Sequence, residues 1–187
     1  AAVALAVVVA GVCGALSGYF VAYCGVQPMV VTLGGSFLFT GVALLVSNLS
    51  ATESYKGISG FPDSFLQLSK FKLFGVIPCQ VIIFLVLAVI AYVLLNKTKY
   101  GRMVFLIGVN KDAAEFSGIN TRLITMTTYI LSGISAAIAG IILTSYIGTA
   151  KSDIGVTFTL PIITAVVLGG TLSTGGKGSV VGTALAA

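Results

Sequence analysis

The chain has 187 residues, of which 57% are hydrophobic and only 8% charged. Soluble domains average about 45–50% apolar and about 25% charged residues, so this chain has too little charge to cover a water-facing surface. An ordinary soluble globular protein is excluded and an integral membrane protein is expected. The net charge of +5, from 10 basic and 5 acidic residues, is then a topological signal and gives no case for nucleic acid as a partner.

Four stretches carry no charge at all: 1–52, 73–96, 123–150 and 154–176. A spanning helix needs about 20 mostly apolar residues, and each charge at the bilayer centre would cost about 2.5–3.5 kcal/mol on an insertion scale. The first stretch is long enough for two spans and each of the others for one. Strands of a membrane barrel are short and alternate polar with apolar residues; these runs are apolar on every face. The expected fold class is therefore an all-α polytopic transmembrane helix bundle of about five to six membrane segments. The chain starts within one apolar run and stops within another, so it reads as an internal piece of a longer protein forming a single transmembrane domain, 1–187.

In chain order, the first span is expected at about 3–23 and the second at about 30–46. They are separated at Gly25-Val-Gln-Pro28, where proline removes a backbone donor and restricts its predecessor. The first carries Gly14-Ala-Leu-Ser-Gly18, a GxxxG pattern that lets two helix backbones approach closely in lipid. A polar stretch from Ser47 to Lys72 follows. Its Phe61, Phe65, Leu68 and Phe71 fit either a short surface helix or an ordered loop. The third span is expected at about 76–95.

The segment 96–122, expected as a coupling loop, holds Lys97, Lys99, Arg102, Lys111 and Arg122 against Asp112 and Glu115. Five basic residues exceed the three of the earlier polar stretch, and the positive-inside rule counts Lys and Arg. This segment is therefore expected in the cytoplasm and Ser47–Lys72 outside. A span at about 124–147 follows, with Ser132, Ala136 and Gly140 spaced as a small-residue packing face. Pro161 and Gly169-Gly170 interrupt the next run, which is expected as a short or broken segment at about 154–170. A truncated segment starts near 179.

Chemistry-bearing patterns are few. Gly176-Lys177 suggests a phosphate loop, but the pattern G-x-x-x-x-G-K-[ST] requires glycine at 171 and Ser or Thr at 178. The chain has Thr171 and Gly178. Cys13, Cys24 and Cys79, with no histidine in the chain, form no metal or redox framework. No catalytic constellation, cofactor site or metal site is expected, which leaves no basis for a membrane enzyme. The five acids all lie outside the expected spans, whereas ion-coupled carriers depend on intramembrane charge. An ATP-independent carrier or channel for a small polar solute is the weaker alternative to a machine driven by another subunit.

Such a subunit needs a socket. Lys111–Ile119 is expected to form a short helix, with Asp112 suited to its N-terminus by capping and dipole and Gly118 to its C-terminal stop. Asp112-Ala-Ala-x-x-x-Gly118 resembles the E-A-A-x-x-x-G coupling motif of ABC importer permeases, with Asp in place of Glu. Gln27–Gly34, Gly101–Asn110, Ser117–Ile119, Tyr129–Gly133 and Ala165–Gly170 are similar to the branch that imports ribose and related simple sugars. Ser145–Gly155 and Leu160–Gly170 look nearest to the D-type permeases of autoinducer-2 import systems. Many sugar permeases have an acid where this chain has Leu160-Pro161. The resemblance covers nearly the whole chain.

The resemblance implies a permease subunit of an ATP-driven importer in the bacterial plasma membrane. Asp112, Ala113, Ala114 and Gly118 would dock a cytoplasmic ABC ATPase. A second permease subunit would complete the path, and an extracytoplasmic solute-binding protein would deliver a sugar or sugar-like cargo. The subunit would form the translocation path across the lipid bilayer without a catalytic site of its own. Which residues touch the cargo does not follow from the resemblance.

Overall fold

The computed structural model describes residues 2–49, 58–61, 65, 72–73, 77–152, 154–172 and 175–187. Its elements are α1 (Ala2–Ala22), α2 (Pro28–Leu49), β1 (Lys72–Leu73), β2 (Ile77–Pro78), α3 (Cys79–Lys97), α4 (Lys99–Val109), α5 (Lys111–Phe116), α6 (Thr121–Ile147), a 3-10 turn (Val156–Phe158), α7 (Thr159–Leu168) and α8 (Val180–Ala186). The architecture is helical, as the composition requires. Among the described residues the named strands are one antiparallel pair, with Lys72 opposite Pro78 and Leu73 opposite Ile77.

Four of these helices, α1, α2, α3 and α6, are long and apolar enough to cross a membrane. At about 1.5 Å per residue, the 19 residues of α3 reach about 28 Å and the 27 of α6 about 40 Å. A hydrocarbon core is about 30 Å thick. Large apolar side chains stand exposed along the helices, among them Leu5, Met29, Phe37, Val89 and Leu160. Water would penalise such a surface; lipid does not.

Prolines fix several helix starts. Pro28 is the first residue of α2, where its missing N–H would have had no partner in any case. Pro78 disfavours helical backbone at Ile77, so α3 starts at Cys79 and not at 76; the two residues before it pair with β1 instead. Pro161 sits in the first turn of α7. The run after 154 therefore becomes helical only from Thr159, behind the 3-10 turn. At 10 residues, α7 is about 15 Å long, roughly half the thickness of the hydrocarbon core.

The chain divides into two compact units. One comprises residues 1–80 and 126–157. Here the GxxxG pattern of α1 packs on α6. A Cβ at Gly14 would lie 2.5 Å from the Tyr129 carbonyl oxygen, one at Gly18 3.2 Å from Met126 Cα, and one at Gly133 2.5 Å from the Ala10 carbonyl oxygen. Side chains larger than hydrogen would separate the helices. The face of α6 used is that of Gly133, while Ser132, Ala136 and Gly140 stay exposed. The row marked by small-residue spacing is therefore not the one that meets α1; its neighbour Gly133 is. Beyond α6, Ile58 and Ala150 exchange backbone hydrogen bonds of 2.9 and 3.0 Å, and buried Ser145 donates its hydroxyl to the Phe65 carbonyl at 2.7 Å. The Phe61 and Phe65 rings lie 5.3 Å apart. Leu68 and Phe71, which the surface-helix reading also needs, lie outside the described residues.

The other unit comprises residues 81–125 and 158–187. Its α7 and α8 pack so closely that a Cβ on Gly169 or Gly182 would meet the other's backbone. Between them, the glycine-rich stretch turns back on itself. Leu172 donates its N–H to the Lys177 carbonyl and Gly175 to that of Leu172. Gly175 and Gly176 hold φ values of +88° and +80°, a region open to glycine at little cost. This turn rests on α4. A Cβ at Gly108 would lie 2.6 Å from the Gly176 nitrogen, and one at Gly175 2.8 Å from the Gly108 carbonyl oxygen.

Side-chain hydroxyls on the apolar helices are turned onto their own backbones. Thr32 donates to the Pro28 carbonyl, Thr40 to Ser36, Thr164 to Leu160 and Thr183 to Ser179. Back-bonding of this kind satisfies a donor where no water reaches it.

Candidate functional site

The segment 96–122, expected as a loop, is largely helical. Thr98 separates α3 from α4. Its hydroxyl donates to the Leu94 carbonyl and accepts from the Gly101 N–H, capping α4. Gly101 is buried against the Leu95 backbone, too close for a Cβ. The charges Lys99 and Arg102 suggested a loop, yet both lie on the exposed side of α4 while Met103, Val104, Phe105 and Ile107 are half-buried.

Asn110 ends α4 and starts α5. Its N–H donates to the Leu106 carbonyl, closing α4, and its side-chain Oδ1 accepts from the Ala113 N–H at 3.1 Å. Asn110 is therefore the N-cap of α5. The capping role expected for Asp112 is corrected: Asp112 lies within the first helical turn, where its negative charge still favours the dipole. The misassignment has a simple cause. The cap residue precedes the helix and retains extended backbone, and Asn110 does so, with φ −156° and ψ 110°.

The other end of α5 is closed by two characteristic bonds. The Ile119 N–H donates to the Ala114 carbonyl at 3.1 Å, and the Gly118 N–H to the Glu115 carbonyl at 3.0 Å. This is a Schellman closure. It requires left-handed backbone at Gly118, whose φ is +80°. The Ser117 hydroxyl adds a 2.8 Å bond to the Ala113 carbonyl. Thus six helical residues, too few to be stable in isolation, are fastened at both ends.

Of the four residues singled out from the sequence, Asp112, Ala113 and Ala114 lie in α5 and Gly118 in its C-terminal closure. Ala114 is its inward-facing residue, 4% exposed, and α5 packs against α4. Asp112, Ala113 and Gly118 are exposed, as are Lys111, Glu115 and Phe116. Ala114 leaves no room for a larger side chain, while Ala113 presents a small surface outward. Asn120 then caps α6, accepting from the Leu123 N–H at 3.2 Å, and Thr121 is buried beside it in sequence, 2% exposed. Sequence reasoning overlooked Asn110 and Phe116. The first was signalled by its position immediately before Lys111. The second gave no signal, since exposure of one aromatic residue cannot be read from spacing.

The cap makes a measurable prediction. Asn110→Ala should loosen α5 by about 1 kcal/mol, seen as roughly fivefold faster amide exchange at Ala113, while Asn110→Asp should keep protection. Unchanged exchange in Asn110→Ala would show that the cap is not holding the helix.

An apolar hollow of about 200 Å³ lies along α7, lined by Ile162, Ile163, Val166, Val167, Thr171 and Leu172. Among the described residues that line it, Thr171 carries the one hydroxyl.

Residues 1–187 match the family described as branched-chain amino acid transport system / permease component. The autoinducer 2 import system permease protein LsrD of Photorhabdus luminescens is 42% identical over 186 residues, covering 100% of this chain and 56% of that protein. Its counterpart in Yersinia enterocolitica is 43% identical over 185 residues, covering 99% of this chain and 56% of that protein. The chain thus spans little more than half the length of these curated relatives. No solved structure matches. With the family pattern running the whole length of its residues, the chain belongs to the permease-component family of branched-chain amino acid type transport systems.

Proposed function

We propose that this chain is part of a permease subunit of an ATP-driven importer for a sugar or sugar-like small molecule, with autoinducer-2 as the leading candidate cargo. The observation that carries the reading is α5: a short helix fastened at both ends, with one residue buried and the rest of its surface free. Asp112, Ala113, Ala114 and Gly118 serve as the docking element for a cytoplasmic ABC ATPase. The basic residues around it, Lys97, Lys99, Arg102 and Arg122, support a cytoplasmic position for it by the positive-inside rule. The cargo assignment rests on the similarity to the LsrD proteins of Photorhabdus and Yersinia.

In this reading the subunit has no catalytic site. ATP binding and hydrolysis belong to the partner, and the subunit supplies the path and the socket. A second permease subunit, identical or related, completes the path in the plasma membrane. A solute-binding protein presents cargo on the outer side. Coupling then has a simple physical basis: a rigid α5 transmits displacement of the ATPase, whereas a flexible one would absorb it.

The test is purification of the tagged full-length parent from its native membrane, with mass spectrometry of its companions. A co-purifying P-loop ATPase is the expected result, and a co-purifying binding protein can be titrated with autoinducer-2 and with ribose. An intact, monodisperse complex containing no ATPase would overturn the reading and favour an ATP-independent carrier.

A further inference from the structure

Phe116 is the most exposed large apolar side chain among the described residues, at 93%. It belongs to α5, outside the four helices able to cross a membrane, so lipid tails do not account for it. Helical spacing places Phe116 on the side of Asp112 and Ala113, at i−4 and i−3, and away from buried Ala114. Ala113 leaves the flank of the ring uncovered. The two acids of segment 96–122, Asp112 and Glu115, are both exposed on this same short helix. An anionic lipid surface attracts basic segments, whereas α5 offers two exposed acids against the single exposed base Lys111. A protein pocket that is apolar within and basic at its rim fits all three side chains.

We propose that Phe116 is the anchor of the docking element: its ring enters an apolar pocket, rimmed by Lys or Arg, on the cytoplasmic ATPase. This rests on the reading that α5 docks that subunit. Buried aromatic residues at the centre of an interface carry much of its affinity, with neighbouring contacts excluding water. The surrounding geometry suits that role. The caps at Asn110 and Gly118 order the helix beforehand, so docking immobilises little more than the ring.

The experiment uses the full-length permease in its native membrane. Phe116 is replaced by the photoreactive benzoylphenylalanine, the membrane is irradiated, and the adduct is identified by mass spectrometry. A covalent adduct with a P-loop ATPase is expected; an adduct with lipid alone, or with none of the complex, would overturn the anchor. In parallel, Phe116→Ala should lower ATPase retention at least about 30-fold, and Phe116→Trp should restore most of it. Alanine is the best helix former and the replaced ring is exposed, so loss of α5 is no explanation for a weakened complex. Gly118→Arg separates the two levels of the argument. If it releases the ATPase while Phe116→Ala does not, the anchor is wrong and the docking helix stands. If neither variant releases it, both ideas fail.

Discussion

Gly118→Arg is expected to abolish uptake while the subunit still accumulates in the membrane. The reason lies in two separable effects. Left-handed backbone costs an ordinary L-residue roughly 1–2 kcal/mol, and the φ of +80° at Gly118 is what lets Ile119 and Gly118 close the helix. Space is not the difficulty, because nothing lies within 4 Å of a Cβ at this position. A graded series follows. Gly118→Asn should lose least, since asparagine tolerates left-handed backbone. Gly118→Ala should show the backbone cost alone, a partial loss of uptake. Gly118→Arg adds a long cationic side chain to the proposed docking surface, opposite the basic rim proposed above, and should lose at least about 30-fold, the size of an interface hot spot. Equal uptake for Asn, Ala and Arg variants would remove α5 from the mechanism. Uptake by reconstituted vesicles, normalised to membrane-inserted subunit, is the measurement.

The second large effect is on stability. Gly14→Leu and Gly133→Leu should each strip the subunit of its α1–α6 packing. A Cβ at either site would stand 2.5 Å from a backbone oxygen of the opposing helix, and backbone cannot rotate away as a side chain can. Overpacking typically costs about 1–3 kcal/mol, and a rigid backbone partner puts these substitutions at the upper end. The expected readout is loss of the monodisperse species in detergent and a lowered thermal midpoint. Gly34→Leu provides the comparison, because a Cβ at Gly34 has nothing within 4 Å. If Gly34→Leu falls as far as Gly14→Leu, the close approach is not what stabilises the pair.

Much of the helical layout was legible because charge is so scarce. Fifteen charged residues delimit the apolar runs, and a charge inside a span is expensive enough to make the runs informative. What escaped was local. Proline moved the start of α3 to Cys79 through its effect on Ile77, and set the start of α7. The face of α6 that meets α1 was ambiguous, since Gly133 and the Ser132–Gly140 row are neighbours on one helix and only a partner chooses between them. The region 99–109 looked like a loop because two glycines and two cations interrupt it. The glycines are there for close packing, at Leu95 and at Gly176, and the cations face outward. At the candidate site, the motif Asp112–Gly118 was visible in sequence, its Schellman glycine included. The capping residue was displaced by two positions, and the exposed ring required a structure.

The contact between Gly108 and Gly175-Gly176 has a mechanical consequence. Side chains at an interface behave like upholstery: a displacement of a few tenths of an ångström disappears into small torsional adjustments. Here main chain lies directly on main chain, one turn before α5, with no upholstery between. A displacement of α4 at this point bears directly on Gly175 and Gly176, a few residues before α8. The bare glycines therefore make this spot a rivet, where a cushion of larger side chains would have let the stroke fade.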